Sequence, residues 1–470
     1  MPVDIQQLPA ELLIDIAQHV CVENCVCDDA ISIPAIELSH VCQEWRHIAL
    51  ATASLWSTFS VSVRLEQYLD LKRKALTLLL TRSGNAPLFV SLHLHGHCDL
   101  VRLLAQHSTR WARLSLRVLD LDTLASLGCI YRRIPLLEHL EVTVLKDRSA
   151  TKEHINIFSI APRLRTVNLP PKSCNFLDLT WVQIEFLSSG PLDMDLLASY
   201  LSVCTGLHEL SLQYFYHLTS QICVARPCSS LHSLTLQIEC AGQFSSVEHL
   251  FSYITLPNLK SLCFLSRRAQ SASLPYFQQT FVNFIKRSQC LIETLRLDNI
   301  PMHFTGVIAL LENIPHLTHL LIHEPLSAPG IVVMDALLHR LSASDTDMLL
   351  PYLQYLDLTF HGVSWRAVME TIRSRLVAAS TLTSVALASQ RVNLFDLAWS
   401  SSSCKLFVSR SAWQSTCELC NQSNRHLCRE SKQVVSHPIT RNHFSFHLEA
   451  SSASECWFVL IPNCFCQGER

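Results

Sequence analysis

The sequence predicts an α/β solenoid, a small N-terminal three-helix unit followed by an irregular horseshoe of leucine-rich repeats. Three observations carry this reading. Leucine fills 78 of 470 positions, well above ordinary usage, and 73 of the 78 lie before residue 401. A pattern of apolar-x-x-apolar-x-apolar recurs twelve times along that leucine-rich stretch. Between its copies lie stripes of apolar residues with helical spacing.

The pattern runs through Phe89/Leu92/Leu94, Trp111/Leu114/Leu116, Leu137/Leu140/Val142, Leu164/Val167/Leu169, Trp181/Ile184/Phe186 and Leu207/Leu210/Leu212. It continues through Leu231/Leu234/Leu236, Leu259/Leu262/Phe264, Ile292/Leu295/Leu297, Leu317/Leu320/Ile322, Leu353/Leu356/Leu358 and Leu382/Val385/Leu387. Its last two members are two residues apart, so they share one face of a strand. The middle members are spaced by 22, 26, 27, 17, 26, 24, 28, 33, 25, 36 and 29 residues. Most of these lie in or near the leucine-rich-repeat range.

Leu197, Tyr200, Leu201 and Cys204 form one helical stripe; Val307, Leu310, Leu311 and Ile314 form another; Met334, Leu337, Leu338 and Leu341 a third. Proline often precedes the next strand, as at Pro257 and Pro315, where it cannot continue a helix. Each unit is therefore helix, turn, strand, and it buries its apolar face only by stacking on its neighbours. One departure is plain. The asparagine or cysteine usual near the end of the repeat's strand is missing, with Ile300 in that place in its unit, so the side-chain ladder that satisfies the turns must be replaced or absent.

The composition excludes other classes. At 49% hydrophobic and 16% charged, the chain is too apolar to be disordered throughout. A net charge of −2 gives no electrostatic reason to expect nucleic acid or an anionic membrane. There is no apolar run long enough to span a bilayer, and the start, Met1-Pro2-Val3-Asp4, lacks the features of a secretion signal. The 20 cysteines are then expected to be reduced and mostly buried, and the protein to be cytoplasmic, nuclear or both.

Residues 1–62 read as a helical domain, 63–395 as the repeats and 396–470 as a poorly ordered tail. A first helix opens at Leu8-Pro9-Ala10-Glu11-Leu12-Leu13, with Leu12, Leu13, Ile16, Ala17 and Val20 on one stripe. The segment 21–33 breaks the pattern. A second helix follows Pro34, with Leu38, Val41, Cys42, Trp45, Ile48, Ala49 and Thr52 on one face, and Leu55, Trp56 and Phe59 begin a third short element.

Leu8-Pro9-x-Glu11-x-Leu13, then Leu38-Ser39-x-Val41-Cys42-x-x-Trp45-Arg46-x-Ile48-Ala49, then Leu55-Trp56 resemble an F-box. More closely, the chain resembles the fungal F-box-like proteins with leucine-rich tails. Ser83-Gly84-Asn85-Ala86-Pro87-Leu88, Trp111-Ala112-Arg113-Leu114-Ser115-Leu116 and Ala161-Pro162-Arg163-Leu164-Arg165 share that likeness. The resemblance implies a non-catalytic substrate-recognition subunit of an SCF-type ubiquitin ligase. Its F-box would hold the SKP-type adaptor, and through it the cullin and RING subunits, while the repeats hold a target protein. Leu8, Pro9, Leu12, Leu13 and Ile16 would form the first contact strip. Leu38, Val41, Cys42 and Trp45 would form part of a second strip or the internal core. The segment 21–33 is longer than in many F-boxes. The rival reading is a stand-alone repeat scaffold whose N-terminal helices cap the solenoid.

No cofactor or metal is expected. His93-x-His95-x-His97-Cys98 would place imidazoles on one strand face, but Gly96 turns the last away, and solvent-facing histidines account for the rest. Cys417-x-x-Cys420, His426, Cys428 and Cys464-x-Cys466 offer half a zinc site without a second pair at finger spacing. Cys21, Cys25 and Cys27 form a weaker third cluster. No phosphate-binding loop, dinucleotide fingerprint, nucleophile elbow or zinc-protease motif is present. Gln213, Gln237, His323 and Thr359 are strand-face polar residues that line a recognition surface or are simply solvated.

Overall fold

A computed structural model describes residues 9–28, 30–63, 69–95, 99–146, 155–169, 177–190, 194–213, 228–238, 243–266, 278–300, 302–324, 335–342, 348–360, 365–377, 382–389, 405–407, 443–452 and 455–462. The chain divides into two compact units, Met1–Phe215 with Ser220–Cys223, and Tyr216–Thr219 with Val224–Arg470. Both are built of mostly parallel strands joined through helices, the arrangement of a solenoid-like α/β fold.

The first unit begins with helix α1 (Ala10–Val20), with Pro9 at its N-cap. Strands β1 (Asn24–Val26) and β2 (Ile31–Ser32) follow as an antiparallel hairpin. Two short helices come next, α2 (Pro34–Ser39) and α3 (Gln43–Ala51). The single helix expected after Pro34 is thus broken at residues 40–42. His40, β-branched Val41 and Cys42 are weak helix formers there. Ser39 turns its hydroxyl back to the Ile36 carbonyl, and Arg46 donates to the Ser39 carbonyl at 2.9 Å, fixing the corner. The third element is a 3-10 turn at Ala53–Trp56 running into β3 (Thr58–Val63). Trp56 is buried and donates its indole N–H to the Ala49 carbonyl at 2.7 Å.

From β3 the strands step in parallel through β4 (Leu88–Leu94), β5 (Trp111–Val118), β6 (His139–Val144), β7 (Thr166–Leu169), β8 (Phe186–Ser189) and β9 (Glu209–Gln213). Helices α4 (Leu69–Arg82), α5 (Asp99–Ala105), α6 (Leu121–Ala125) and α7 (Met194–Val203) lie between them. Along each strand alternate residues are buried, and these are the leucines of the repeat pattern.

Two anchors shift. At β8 the inward residues are Ile184, Leu187 and Ser189, while Phe186 is exposed. With Leu187 in the middle place, the odd spacing of 17 becomes 20, followed by 23. At β4 the alternation runs unbroken from Leu94 back to Leu88, so Leu88 enters the core and Phe89 turns out; the bulge beside it is Ala112 of β5, which has no partner in the β4 register.

The hairpin in the segment 21–33 is the main addition to the sequence reading. β1 pairs in parallel with β3, so it covers the edge that the first repeat strand would otherwise present. Asn24 is buried and donates to the Leu55 and Thr58 carbonyls, both at 2.9 Å. At the hairpin's turn, Asp28 pairs with the buried Lys72 of α4.

The second unit repeats the scheme. Its strands β10 (Ser233–Gln237), β11 (Ser261–Leu265), β12 (Thr294–Asp298), β13 (His319–His323), β14 (Tyr355–Phe360) and β15 (Ser384–Ser389) are parallel and in register. Helices α8 (Gln243–Tyr253), α9 (Gln278–Ser288), α10 (Phe304–Leu311), α11 (Asp335–Leu341) and α12 (Trp365–Val377) pack each on the next. Phe251 meets Phe264, Phe281 and Phe284 at ring distances of 4.7–6.2 Å, an aromatic joint between α8, β11 and α9. Beyond residue 396 the described elements are β16 (Lys405–Phe407), β17 (His443–Ser452) and β18 (Glu455–Pro462); β17 pairs antiparallel with both β15 and β18.

Candidate functional site

The N-terminal helices present an apolar surface to solvent. α1 has two apolar faces. Leu13 and Ala17 point inward, and Leu13 is only 1% exposed. Leu12, Ile16 and Val20, four residues apart, point outward; Leu12 is 48% and Ile16 38% exposed. The same helix packs on α2 and α3, so the outward row sits on a supported element. Of the other expected contact residues, Pro9 is exposed, Leu38 is internal at 7%, and Val41, in the corner between α2 and α3, is 63% exposed. Cys42 and Trp45 are half-buried, Cys42 as the extended N-cap residue of α3. Leu8 lies outside the described residues.

The structure therefore separates residues that the sequence grouped. Leu13 and Leu38 serve the core, while Leu12, Ile16 and Val41 are available to a partner. Val22, Ile31 and Leu50 add exposed apolar area in the same N-terminal segment and were not anticipated. Val22 lies just before β1 and Ile31 in β2, and no periodicity marks such short elements.

A second constellation lies on the open strand face of the second unit. His323 of β13 points Nε2 at Asp357 of β14, 3.2 Å away, and Nδ1 at Asp298 of β12, 3.6 Å away. Arg296 donates Nη2 to Asp298 at 2.7 Å. The register accounts for the set, because Asp298 is directly opposite His323, and Arg296 and Asp357 occupy the same row one pleat earlier. The half-buried ring resists carrying charge, but the hydrogen bonds its N–H groups donate to the Asp298 and Asp357 carboxylates overcome this and raise the His323 pKa to about 9. The Asp298 carboxyl is held below its ordinary range, its burial outweighed by His323 and Arg296. At neutral pH the group is two cations and two carboxylates, a balanced network.

His323 was among the strand-face residues marked in the sequence. Its partners were not, since they stand 25 and 34 residues away and only the strand register brings them together. Gln237 is buried, and Gln213 and Thr359 are half-buried at strand ends. His93 projects from β4 on the face opposite buried Leu92 and Leu94. His97, Cys98, Cys417, Cys420, His426, Cys428, Cys464 and Cys466 lie outside the described residues. Among the described residues no group of three or more His, Cys, Asp or Glu is placed to hold a metal ion. Cys25 and Cys27 approach each other with their sulfurs 2.9 Å apart.

No protein-family profile matches the chain, and no curated protein matches it. Among solved structures it is similar to the chain in a crystal structure of the Rad7 and Elc1 complex in yeast, at 16% sequence identity over 72% of this chain and 94% of that one, with a TM-score of 0.31.

Proposed function

We propose that the protein is the substrate-recognition subunit of an SCF-type ubiquitin ligase. In this reading α1 docks a SKP-type adaptor, which brings the cullin and RING subunits, and the open strand faces of the repeats take up a target protein. The chain itself is non-catalytic, and it works in the cytoplasm or nucleus. No described helix is long and apolar enough to cross a membrane.

The observation that carries the proposal is the outward row Leu12, Ile16 and Val20. A helix that already buries one apolar face and still exposes a second invites a groove on a partner. The F-box-like order of Leu-Pro, Val-Cys-x-x-Trp-Arg and Leu-Trp supports the choice of partner.

The test is recovery of a SKP-type adaptor with the full chain. Leu12→Asp/Ile16→Asp is expected to lower recovery at least tenfold with an unchanged melting temperature. Leu13→Asp is expected to destabilise the fold instead, by about 3 kcal/mol or more. Equal recovery with wild type and the Leu12/Ile16 double variant overturns the proposal.

A second reading, a stand-alone scaffold with a helical cap, is favoured by β1 covering the edge of β3. It uses the inward face of α1, so it predicts that deleting residues 1–60 lowers thermal stability and that no adaptor is recovered by any variant.

A further inference from the structure

The C-x-C pair in the hairpin has a geometry that the docking role does not use. Cys25 lies in β1 and Cys27 one residue past its end, where its N–H bonds to the Ala30 carbonyl. Asn24 and Val26 are buried between and beside them, so both thiols project on the other face, and both are partly accessible. Their sulfurs are 2.9 Å apart. A disulfide needs about 2.04 Å, so the sulfurs must approach by about 1 Å and the short stretch of extended backbone between them must tighten to close the bridge. The neighbouring strands offer Ser60 and Ser32 opposite Cys25 rather than bulky apolar side chains, and the Ser60 hydroxyl hydrogen-bonds the Cys27 thiol.

We propose that Cys25 and Cys27 form an oxidative modification site, a dithiol that a small two-electron oxidant of the peroxide class closes to an intrachain disulfide. Burial and the adjoining sulfur push the Cys27 thiol up to about 11, which suits Cys27 to the part of the protonated, resolving thiol. The Cys25 thiolate attacks one peroxide oxygen. The O–O bond breaks, and the departing hydroxide gains a proton and leaves as water. Cys25 is then a sulfenic acid. The Cys27 sulfur attacks the Cys25 sulfur, the S–O bond breaks, and the departing hydroxide takes the Cys27 proton as a second water. Two thiols and one peroxide give one disulfide and two waters; the sulfurs together lose two electrons and the peroxide gains them.

Among the other described cysteines, Cys129 is exposed and Cys42 partly accessible, so both compete for the oxidant, whereas burial pushes the Cys263 and Cys290 thiols up to about 11.

The sequence allows a direct test. Cleavage after Glu23 and Glu37 releases residues 24–37, in which Cys25 and Cys27 are the only cysteines. The reduced full chain is titrated with hydrogen peroxide, alkylated and cleaved. The expected product is this peptide without alkyl groups and about 2 Da lighter than the dithiol, returning to the dialkylated form after dithiothreitol. In the Cys27→Ser variant the first step has no resolving thiol, so dimedone is expected to label Cys25. The wild-type digest decides even if that variant does not fold. Two alkyl groups on the peptide at peroxide levels that fully oxidise Cys129, or a bridge from Cys25 to any cysteine other than Cys27, overturns the proposal.

Discussion

Three arginines satisfy backbone carbonyls at the helix ends, on the side of the unit where the chain enters the strand rather than where the missing asparagine would sit. Arg110 donates to the Ala86 and Ser83 carbonyls at 3.0 and 3.2 Å, closing the end of α4 and the turn after it. Arg287, in the last turn of α9, reaches back to the Phe251 and Ile254 carbonyls at the end of α8. Arg375, fully buried in α12, reaches the Leu341 carbonyl at the end of α11 and the Leu349 and Leu350 carbonyls beyond it. The last carbonyls of a helix have no partner within it and sit at the negative end of its dipole, so a guanidinium with several donors suits them. Arg375→Met removes the guanidinium from the Leu341, Leu349 and Leu350 carbonyls, of which Leu350 keeps the Leu353 N–H. It is expected to cost about 3 kcal/mol, with Arg375→Lys recovering only part, as read from urea unfolding of the full chain. The charged network on the strand face makes a different claim. His323 titrates near 9 when folded and near its ordinary value of about 6.5 when unfolded. The folded state therefore holds the extra proton between these values. Its stabilisation is complete below pH 6.5 and is lost as pH rises through 9, on the order of 2 kcal/mol for a ring in this partly exposed setting. Melting temperatures of wild type should fall more steeply between pH 7 and 10 than those of His323→Asn; parallel curves would show that the ring is not held as a cation.

α1 shows how much of an element a sequence can specify. Its start, its length and its apolar content follow from Pro9 and the residues after it, yet Leu12 and Leu13 are equivalent on paper and opposite in the fold. Adjacent residues on a helix lie about 100° apart, and only the position of α2 and α3 decides which one faces water. The repeat strands were legible because a strand face fixes side chains two apart. The shifts at β8 and β4 arose where an aromatic residue matched the pattern while a neighbouring leucine filled the core. The hairpin β1–β2 was not legible, since strands of three and two residues carry no period, and the charged network was hidden because register, not spacing, assembles it. The helix ends hold one more consequence. Gln289, just past α9, has φ of 53° and donates its N–H to the Ile285 carbonyl, the left-handed closing residue of the helix. A side chain is strained in that region and glycine is not. Gln289→Gly is thus expected to raise stability by about 1 kcal/mol, visible as a higher melting temperature, although glycine lowers stability at most other helical positions.

Within each unit the strands touch only their neighbours in the sheet, so stability is expected to behave as a chain of nearest-neighbour terms. The second unit shows the physical basis. Leu234, Leu262, Leu295, Leu320, Leu356 and Val385 occupy one register row from β10 to β15, and every one of them is buried. Removing any central member opens a cavity and is expected to cost about 2–5 kcal/mol. The pairs are more informative than the singles. Leu262 and Leu295 sit on adjacent strands, roughly 5 Å apart across the sheet, and share the walls of any cavity. Leu262 and Leu356 are three strands apart, about 14 Å, with Leu295 and Leu320 between them. Leu262→Ala/Leu295→Ala is therefore expected to depart from additivity by about 0.5–2 kcal/mol. Leu262→Ala/Leu356→Ala should add within about 0.5 kcal/mol. Double-mutant cycles from denaturant unfolding measure both quantities. Equal coupling at the two separations would mean that the unit unfolds around one shared core, and the picture of stacked, locally supported repeats would have to be given up for it.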